Sequence, residues 1–137
     1  MSPSPPAAPP TTRAASIEVK DLVVRYGTVT AVRGVTFSVG AGEHLTLLGP
    51  SGCGKTTTLR AIAGLEKPTA GEIRIDGAVM YDAASRTQVP PERRGISMVF
   101  QSYAIWPHMT VFDNVAYGLR VRRETEITIG QRVRWAL

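Results

Sequence analysis

Residues 49–56 read Gly49-Pro50-Ser51-Gly52-Cys53-Gly54-Lys55-Thr56, and this stretch decides the fold of the chain. It matches the phosphate-binding loop pattern G-x-x-x-x-G-K-[ST] at every fixed position. The short apolar run 44–48 precedes it, and residues 57–63 follow with a spacing that suits a helix. A strand, a glycine-rich loop and a helix in this order are typical of a P-loop. The sequence therefore predicts that the chain binds a nucleoside triphosphate.

The residue types of the loop suit the charge of a triphosphate. Glycines let the backbone turn its N–H groups toward the phosphates, and the positive end of the helix dipole faces the same place. Lys55 adds a full positive charge, and the Thr56 hydroxyl is suited to coordinate Mg²⁺. The predicted nucleotide-binding residues are Gly49, Pro50, Ser51, Gly52, Cys53, Gly54, Lys55, Thr56 and Thr57.

The composition indicates one domain with a separate leader. Five of the 10 prolines lie within the first fifteen of the 137 residues, where no apolar run occurs. We therefore expect residues 1–15 to be a disordered leader and residues 16–137 to form the folded part. The single cysteine, Cys53, excludes an internal disulfide.

The net charge of +5 permits polyanion binding, but basic residues gather only near the end of the chain. A solvated helix face explains this cluster, with nucleic-acid contact as the alternative, and we expect no nucleic-acid partner. The cluster consists of Arg120, Arg122, Arg123, Arg132 and Arg134.

Hydrophobic periodicity predicts an α/β fold. Alternation predicts strands at 17–24 and 32–39, which form an antiparallel hairpin, and further strands at 44–48, 72–77 and 95–100. Residues 81–94 read as a loop. Thr110 and Asp113 resemble a capping box before a helix, and a second helix starts near the end. We expect an incomplete P-loop NTPase core with an N-terminal antiparallel β subdomain and the start of a helical subdomain.

Several segments together resemble the ATP-binding subunits of ABC transporters. Gly49–Thr56 corresponds to the Walker A segment of that family, Val99-Phe100-Gln101 resembles its Q-loop, and Tyr26 resembles its adenine-stacking aromatic residue. The segments Thr69–Ile73 and Asp76–Gly77 are also similar. The run Ser102–Val115 is especially similar to importer ATPases for polyamines, iron(III), sulfate or sugars. The resemblance covers residues 16–137.

The resemblance implies ATP and Mg²⁺ as cofactors. It assigns Tyr26 to purine stacking, Lys55 and Gln101 to catalysis, and Thr56 and Gln101 to the Mg²⁺ shell. Ser102–Asn114 would dock on transmembrane permease subunits, and a second ATPase subunit would complete a dimer. It also implies a peripheral location at the cytoplasmic side of the inner or plasma membrane.

Two segments of the family pattern do not occur in this sequence. These are the signature Leu-Ser-Gly-Gly-Gln and a Walker B run of four apolar residues followed by Asp-Glu. We therefore expect the N-terminal portion of a nucleotide-binding domain, which binds ATP–Mg²⁺ without efficient turnover. The alternatives are a non-transport ABC ATPase, another P-loop NTPase such as a GTPase or small-molecule kinase, and a non-catalytic binding module. The guanine-reading motif Asn-Lys-x-Asp of GTPases is absent from the sequence.

Overall fold

The structure is a computed structural model that describes residues 15–137. These residues form two compact units, divided between Met98 and Val99, and each unit has its own hydrophobic cluster. The leader expected at residues 1–15 lies, except for Ala15, outside the described residues.

The first unit contains an antiparallel sheet of five strands and one helix. The strand order is β2-β1-β3-β4-β5, and all pairings are antiparallel. The pairing of β1 with β2 confirms the predicted hairpin. The elements are β1 (Ile17–Tyr26), β2 (Val29–Val39), helix α1 (Lys55–Ala63), β3 (Ala70–Ile75), β4 (Ala78–Asp82), β5 (Thr87–Gln88) and a 3₁₀ turn (Pro91–Arg93).

A bulge in β1 directs three apolar side chains to one face of the sheet. Val19 and Leu22 are three positions apart, so they would face opposite sides of a regular strand. Asp21 has a φ of 47°, and the pairing register shifts between Val19 and Leu22. Val19, Leu22 and Val24 are therefore all buried in one cluster. Thr36 of β2 stabilises the bulge, because its Oγ1 accepts a hydrogen bond from the Asp21 amide at 2.9 Å.

Helix α1 packs against this sheet through its inner face. Ala61 and Ile62 belong to the same buried cluster as Leu22. The helix begins after Gly54, which has a φ of 95°, and a Cβ at this position would overlap the carbonyl oxygen of Ala31 in β2. Only glycine fits both the backbone conformation and this close approach. The first turn of α1 is thereby held directly on β2.

Two of the predicted strands do not form, and one segment that was predicted to be a loop contains strand residues. Residues 44–48 and 95–100 have no regular secondary structure, and Leu48 and Val99 are 88% and 96% exposed. A strand requires a hydrogen-bonded neighbour, and residues 15–137 place none beside these segments. The expected loop at 81–94 contains the end of β4 and all of β5. The antiparallel subdomain was predicted correctly.

The second unit is a pair of helices, α2 (Val111–Val121) and α3 (Glu126–Ala136). The Thr110 side chain accepts a hydrogen bond from the Asp113 amide, which confirms the predicted cap of α2. Ala116 of α2 packs against Ile129 and Val133 of α3. Over residues 15–137, no helix combines the length and apolar composition that crossing a membrane requires.

A pair of glycine substitutions separates steric overlap from backbone strain. Gly54→Ala places a methyl group against the Ala31 carbonyl at a positive φ, whereas Gly52→Ala meets nothing within 4 Å at a φ of 80°. We expect Gly52→Ala to lower the free energy of unfolding by about 1 kcal/mol. Gly54→Ala should lower it by at least about 1 kcal/mol more, because the overlap forces α1 away from β2. Urea titrations of both variants measure the difference, and equal losses would show that the Ala31 contact has no effect.

Candidate nucleotide-binding site

The phosphate loop presents a group of unpaired amides. Within the described part of the chain, no hydrogen bond uses the N–H groups of residues 51, 52 and 54–57. They lie in the loop 49–54 and in the first turn of α1, where N–H groups have no intrahelical acceptor. Converging free amides at a helix start form a site for an anion. This donor set therefore fits the phosphates of a nucleotide.

Lys55 adds positive charge to the same place. Its Nζ donates hydrogen bonds to the carbonyl oxygens of Gly49 and Pro50, both at 2.7 Å, and lies 3.5 Å from Cys53 Sγ. The first turn of α1 contains no acidic residue. The ammonium and the helix dipole therefore act together, and no carboxylate in this turn neutralises them.

Thr56 lies in the first turn of α1 with an exposed side chain. Among residues 15–137, no three His, Cys, Asp or Glu side chains cluster in a way that could hold a metal ion. Mg²⁺ in nucleotide sites is bound largely by phosphate oxygens and water, with few protein ligands. The Thr56 hydroxyl fits that mode of binding, since it needs no cluster of carboxylates.

Tyr26 lies beside α1 in the same unit. It is the last residue of β1, two residues beyond the end of the strand predicted at 17–24, and the residue is 48% exposed. Its hydroxyl donates a hydrogen bond to Glu66 Oε2 at 2.6 Å, just after the end of α1. This bond raises the pKa of Tyr26, with a smaller opposing effect from the Thr57 hydroxyl. The fold thus brings Tyr26 close to the first turn of α1. Sequence reasoning did not identify Glu66, since nothing in the local pattern links it to Tyr26.

The other predicted site residues lie in the second unit. Gln101 is exposed in a bend that follows Phe100. Trp106 begins a turn that leads to Thr110, and its ring contacts those of His108 and Tyr117 at centroid distances of 6.1 and 5.8 Å.

The side chain of Asn114 fixes this turn to α2. Its Oδ1 accepts a hydrogen bond from the Trp106 amide at 2.6 Å. Its Nδ2 donates to the carbonyl oxygens of Trp106, Met109 and Thr110. The exposed side chains of Ile105 and Trp106 are therefore presented on a fixed backbone.

Arg94 is a buried residue of the first unit that the sequence reading missed. Its guanidinium donates to the carbonyl oxygens of Ala61 and Ile62 in α1, at 2.9 and 2.8 Å, and to that of Val89 at 2.8 Å. Burial lowers its pKa from the usual arginine value. It follows Arg93, an exposed residue of the same type, so composition could not show which of the two is buried.

The Tyr26–Glu66 hydrogen bond predicts a specific pH dependence. Because the pKa of Tyr26 is raised in the folded state above its ordinary value of 10.0, this pair stabilises the fold below that pH. The contribution is lost as the pH rises through the folded pKa. Glu66→Gln should lower the pKa of Tyr26, as measured by the ultraviolet absorbance of tyrosinate, with Tyr26→Phe used to assign the signal. Glu18→Gln, at an exposed position of β1, is the control. An unchanged titration in Glu66→Gln would contradict the hydrogen bond.

Comparisons with known proteins match most of this chain to one family. The family model described as ABC transporter matches residues 32–137. The alpha-glucoside transport ATP-binding protein AglK of Rhizobium meliloti is 50% identical over 118 residues, which cover 86% of this chain and 31% of AglK. The spermidine/putrescine import ATP-binding protein PotA of Nitrosomonas europaea is 52% identical over 123 residues, which cover 90% of this chain and 32% of PotA. The chain thus spans about a third of the length of these curated relatives.

A solved structure shows the same fold. The ATP-binding cassette MJ0796, in a dimeric post-hydrolysis state bound to ADP and Pi, aligns with a TM-score of 0.71 at 25% identity. The alignment covers 85% of this chain and 53% of the MJ0796 chain. Since the family model matches well over half of the sequence and includes the phosphate loop, the chain belongs to the ABC transporter family.

Proposed function

We propose that this chain is the ATP-binding portion of an ABC importer ATPase. The observation that carries the proposal is the group of free amides at residues 51, 52 and 54–57, with the Lys55 ammonium among them. The relatives AglK and PotA are named as ATP-binding proteins of transport systems, which supports the same activity here.

The two ends of ATP would meet different parts of the first unit. The phosphates would accept hydrogen bonds from the loop amides and from Lys55. The purine would stack on the exposed ring of Tyr26, since Tyr26 lies close to the Thr57 hydroxyl on the same helix turn. Base stacking of this kind contributes about 1–3 kcal/mol in nucleic-acid systems.

Thr56 is the residue of α1 that would hold Mg²⁺, and the resemblance assigns Gln101 to the same shell. Bound Mg²⁺ supplies charge neutralisation on the β- and γ-phosphates. Lys55 would stabilise negative charge on the γ-phosphate during in-line attack by water. The sequence contains no Walker B Asp-Glu and no signature segment. We therefore expect residues 16–137 to bind ATP–Mg²⁺ without efficient hydrolysis.

The segment Ser102–Asn114 supports an importer role. Tyr103, Ile105 and Trp106 are exposed, and Asn114 holds the backbone that presents the last two. Exposed apolar groups of this kind mark protein–protein contact sites. We assign this segment to transmembrane permease subunits, which places the protein peripherally at the cytoplasmic side of the membrane. A second ATPase subunit would complete the assembly, as in the dimeric MJ0796 structure.

Nucleotide titration tests the first part of the proposal. Fluorescent ATP with Mg²⁺ should bind the chain, and Lys55→Ala should abolish measurable binding because the charge at the loop is lost. Tyr26→Ala should weaken binding about tenfold, and should reduce the preference for ATP over GTP. The control is Lys67→Ala at an exposed position. A folded wild-type chain that binds no ATP would contradict the proposal. Steady-state phosphate release that disappears in Lys55→Ala would contradict the expected lack of turnover.

Two exposed tryptophans of the second unit allow a matched test of the docking segment. Trp106 is 48% exposed within the segment, and Trp135 is 70% exposed on α3. With the permease subunits co-expressed, Trp106→Ala should lower the amount of permease that co-purifies with the ATPase, because an apolar contact is lost. Trp135→Ala should leave that amount unchanged. Equal recovery with both variants would place the docking surface elsewhere.

A further inference from the structure

Arg94 is a buried cation whose partners are backbone carbonyls. Its side chain belongs to a residue that is 3% exposed. Within residues 15–137, no carboxylate forms an ion pair with it. Its donors reach the carbonyl oxygens of Ala61, Ile62, Val89 and, at 3.4 Å, Met80. Burial of a charge lowers stability unless the charge is well hydrogen-bonded, so these carbonyl groups must stabilise the guanidinium.

The guanidinium lies at the C-terminal end of α1. The Ala61 and Ile62 carbonyls lie in the last turn of α1, at the negative end of the helix dipole. The Ala61 carbonyl also accepts a hydrogen bond from the Gly64 amide at 3.1 Å, whereas no backbone amide is bonded to the Ile62 carbonyl within the described residues. The Arg94 Nη1 donates to both. A Cβ at Gly64, the C-cap, would lie 2.6 Å from Arg94 Nε, so glycine leaves the room that the guanidinium occupies. Arg94 therefore closes the end of α1 both electrostatically and sterically.

Helix α1 depends on such contacts because it is short. It has nine residues, and isolated helices of fewer than about twelve residues are marginal in water. Its first turn is held by the approach of Gly54 to Ala31, and its last turn by Arg94. Loss of the second contact would fray the last turn and loosen the helix that carries Lys55.

We propose that Arg94 is a positioning residue for nucleotide binding: by ordering the last turn of α1, it holds the phosphate-binding first turn in the conformation that ATP requires. The inference rests on the proposed function of the chain. The hydrogen bonds of Arg94 go to Ala61, Ile62, Met80 and Val89, none of which lies in the loop 49–54, so its effect passes through α1. Helix order and phosphate binding are then coupled, and each should strengthen the other.

The binding test compares Arg94→Met with a matched core variant. Arg94→Met should weaken ATP–Mg²⁺ binding about tenfold, within the range of coupled sites, at a temperature at which the protein remains folded by circular dichroism. Val19→Ala removes buried apolar contacts from β1 and is the control for general destabilisation. It should leave the affinity of the folded protein within about twofold of wild type. Arg94→Lys keeps the charge without the planar fork and should weaken binding about threefold.

Two further readouts separate a positioning role from a purely structural one. In Arg94→Met, the amides of residues 59–66 should exchange with deuterium faster, while those of the sheet stay protected, and added ATP should restore the protection. In Arg94→Gly, added methylguanidinium should restore ATP affinity, and methylammonium should not. Only methylguanidinium has the planar arrangement of N–H donors that the substitution removes.

The outcomes distinguish this inference from the proposed function. A wild-type chain that binds no ATP overturns the proposed function. A wild-type chain that binds ATP, with Arg94→Met and Val19→Ala equal in affinity, overturns the role of Arg94. If Arg94→Met does not fold, the comparison is made with Arg94→Lys, and wild-type affinity in that variant overturns the role.

Discussion

The contact between Gly54 and the Ala31 carbonyl is the constraint on which the site depends. It joins the first turn of a short helix to the second strand of the sheet, and it admits no side chain at position 54. The free amides of the loop and of this turn are consequently fixed relative to β2. Lys55 directly follows Gly54, so the backbone that carries its ammonium group is held in the same place. Lys55 also holds the loop itself, because its ammonium donates hydrogen bonds to the carbonyl oxygens of Gly49 and Pro50.

The hairpin supplies the rest of the frame. The bulge at Asp21 turns Leu22 and Val24 toward α1, so the helix has an apolar surface to pack on. At the far end of β1, Tyr26 reaches back to Glu66, which follows the C-terminal end of the helix. One strand therefore supports the inner face of α1 and also carries the aromatic ring beside it. The adenine-stacking role assigned to Tyr26 requires this proximity.

The lack of a hydrogen-bonded neighbour explains why two of the predicted strands do not form. Residues 44–48 and 95–100 have the apolar composition of buried strands, and the composition was read correctly. Strand formation, however, requires two hydrogen-bonded segments, and within residues 15–137 neither segment has a hydrogen-bonded neighbour. Because no neighbouring strand covers these segments, apolar side chains such as Leu48 and Val99 remain exposed. A single sequence window carries no information about whether a neighbour is present.

The sequence by itself determined the phosphate loop, the hairpin before it and the cap of α2, because these features depend on local residue types and spacing. Gly54, Lys55 and Thr110 could be assigned from their neighbours along the chain. The tertiary structure alone decided that Arg94 is buried against the end of α1 and that Glu66 binds Tyr26. These partners lie between 32 and 40 residues apart in the chain. Such contacts depend on tertiary packing. The hydrogen-bond partners of the Arg94 guanidinium and of the Tyr26 hydroxyl are the groups that the fold brings within reach, and these groups are distant in the chain.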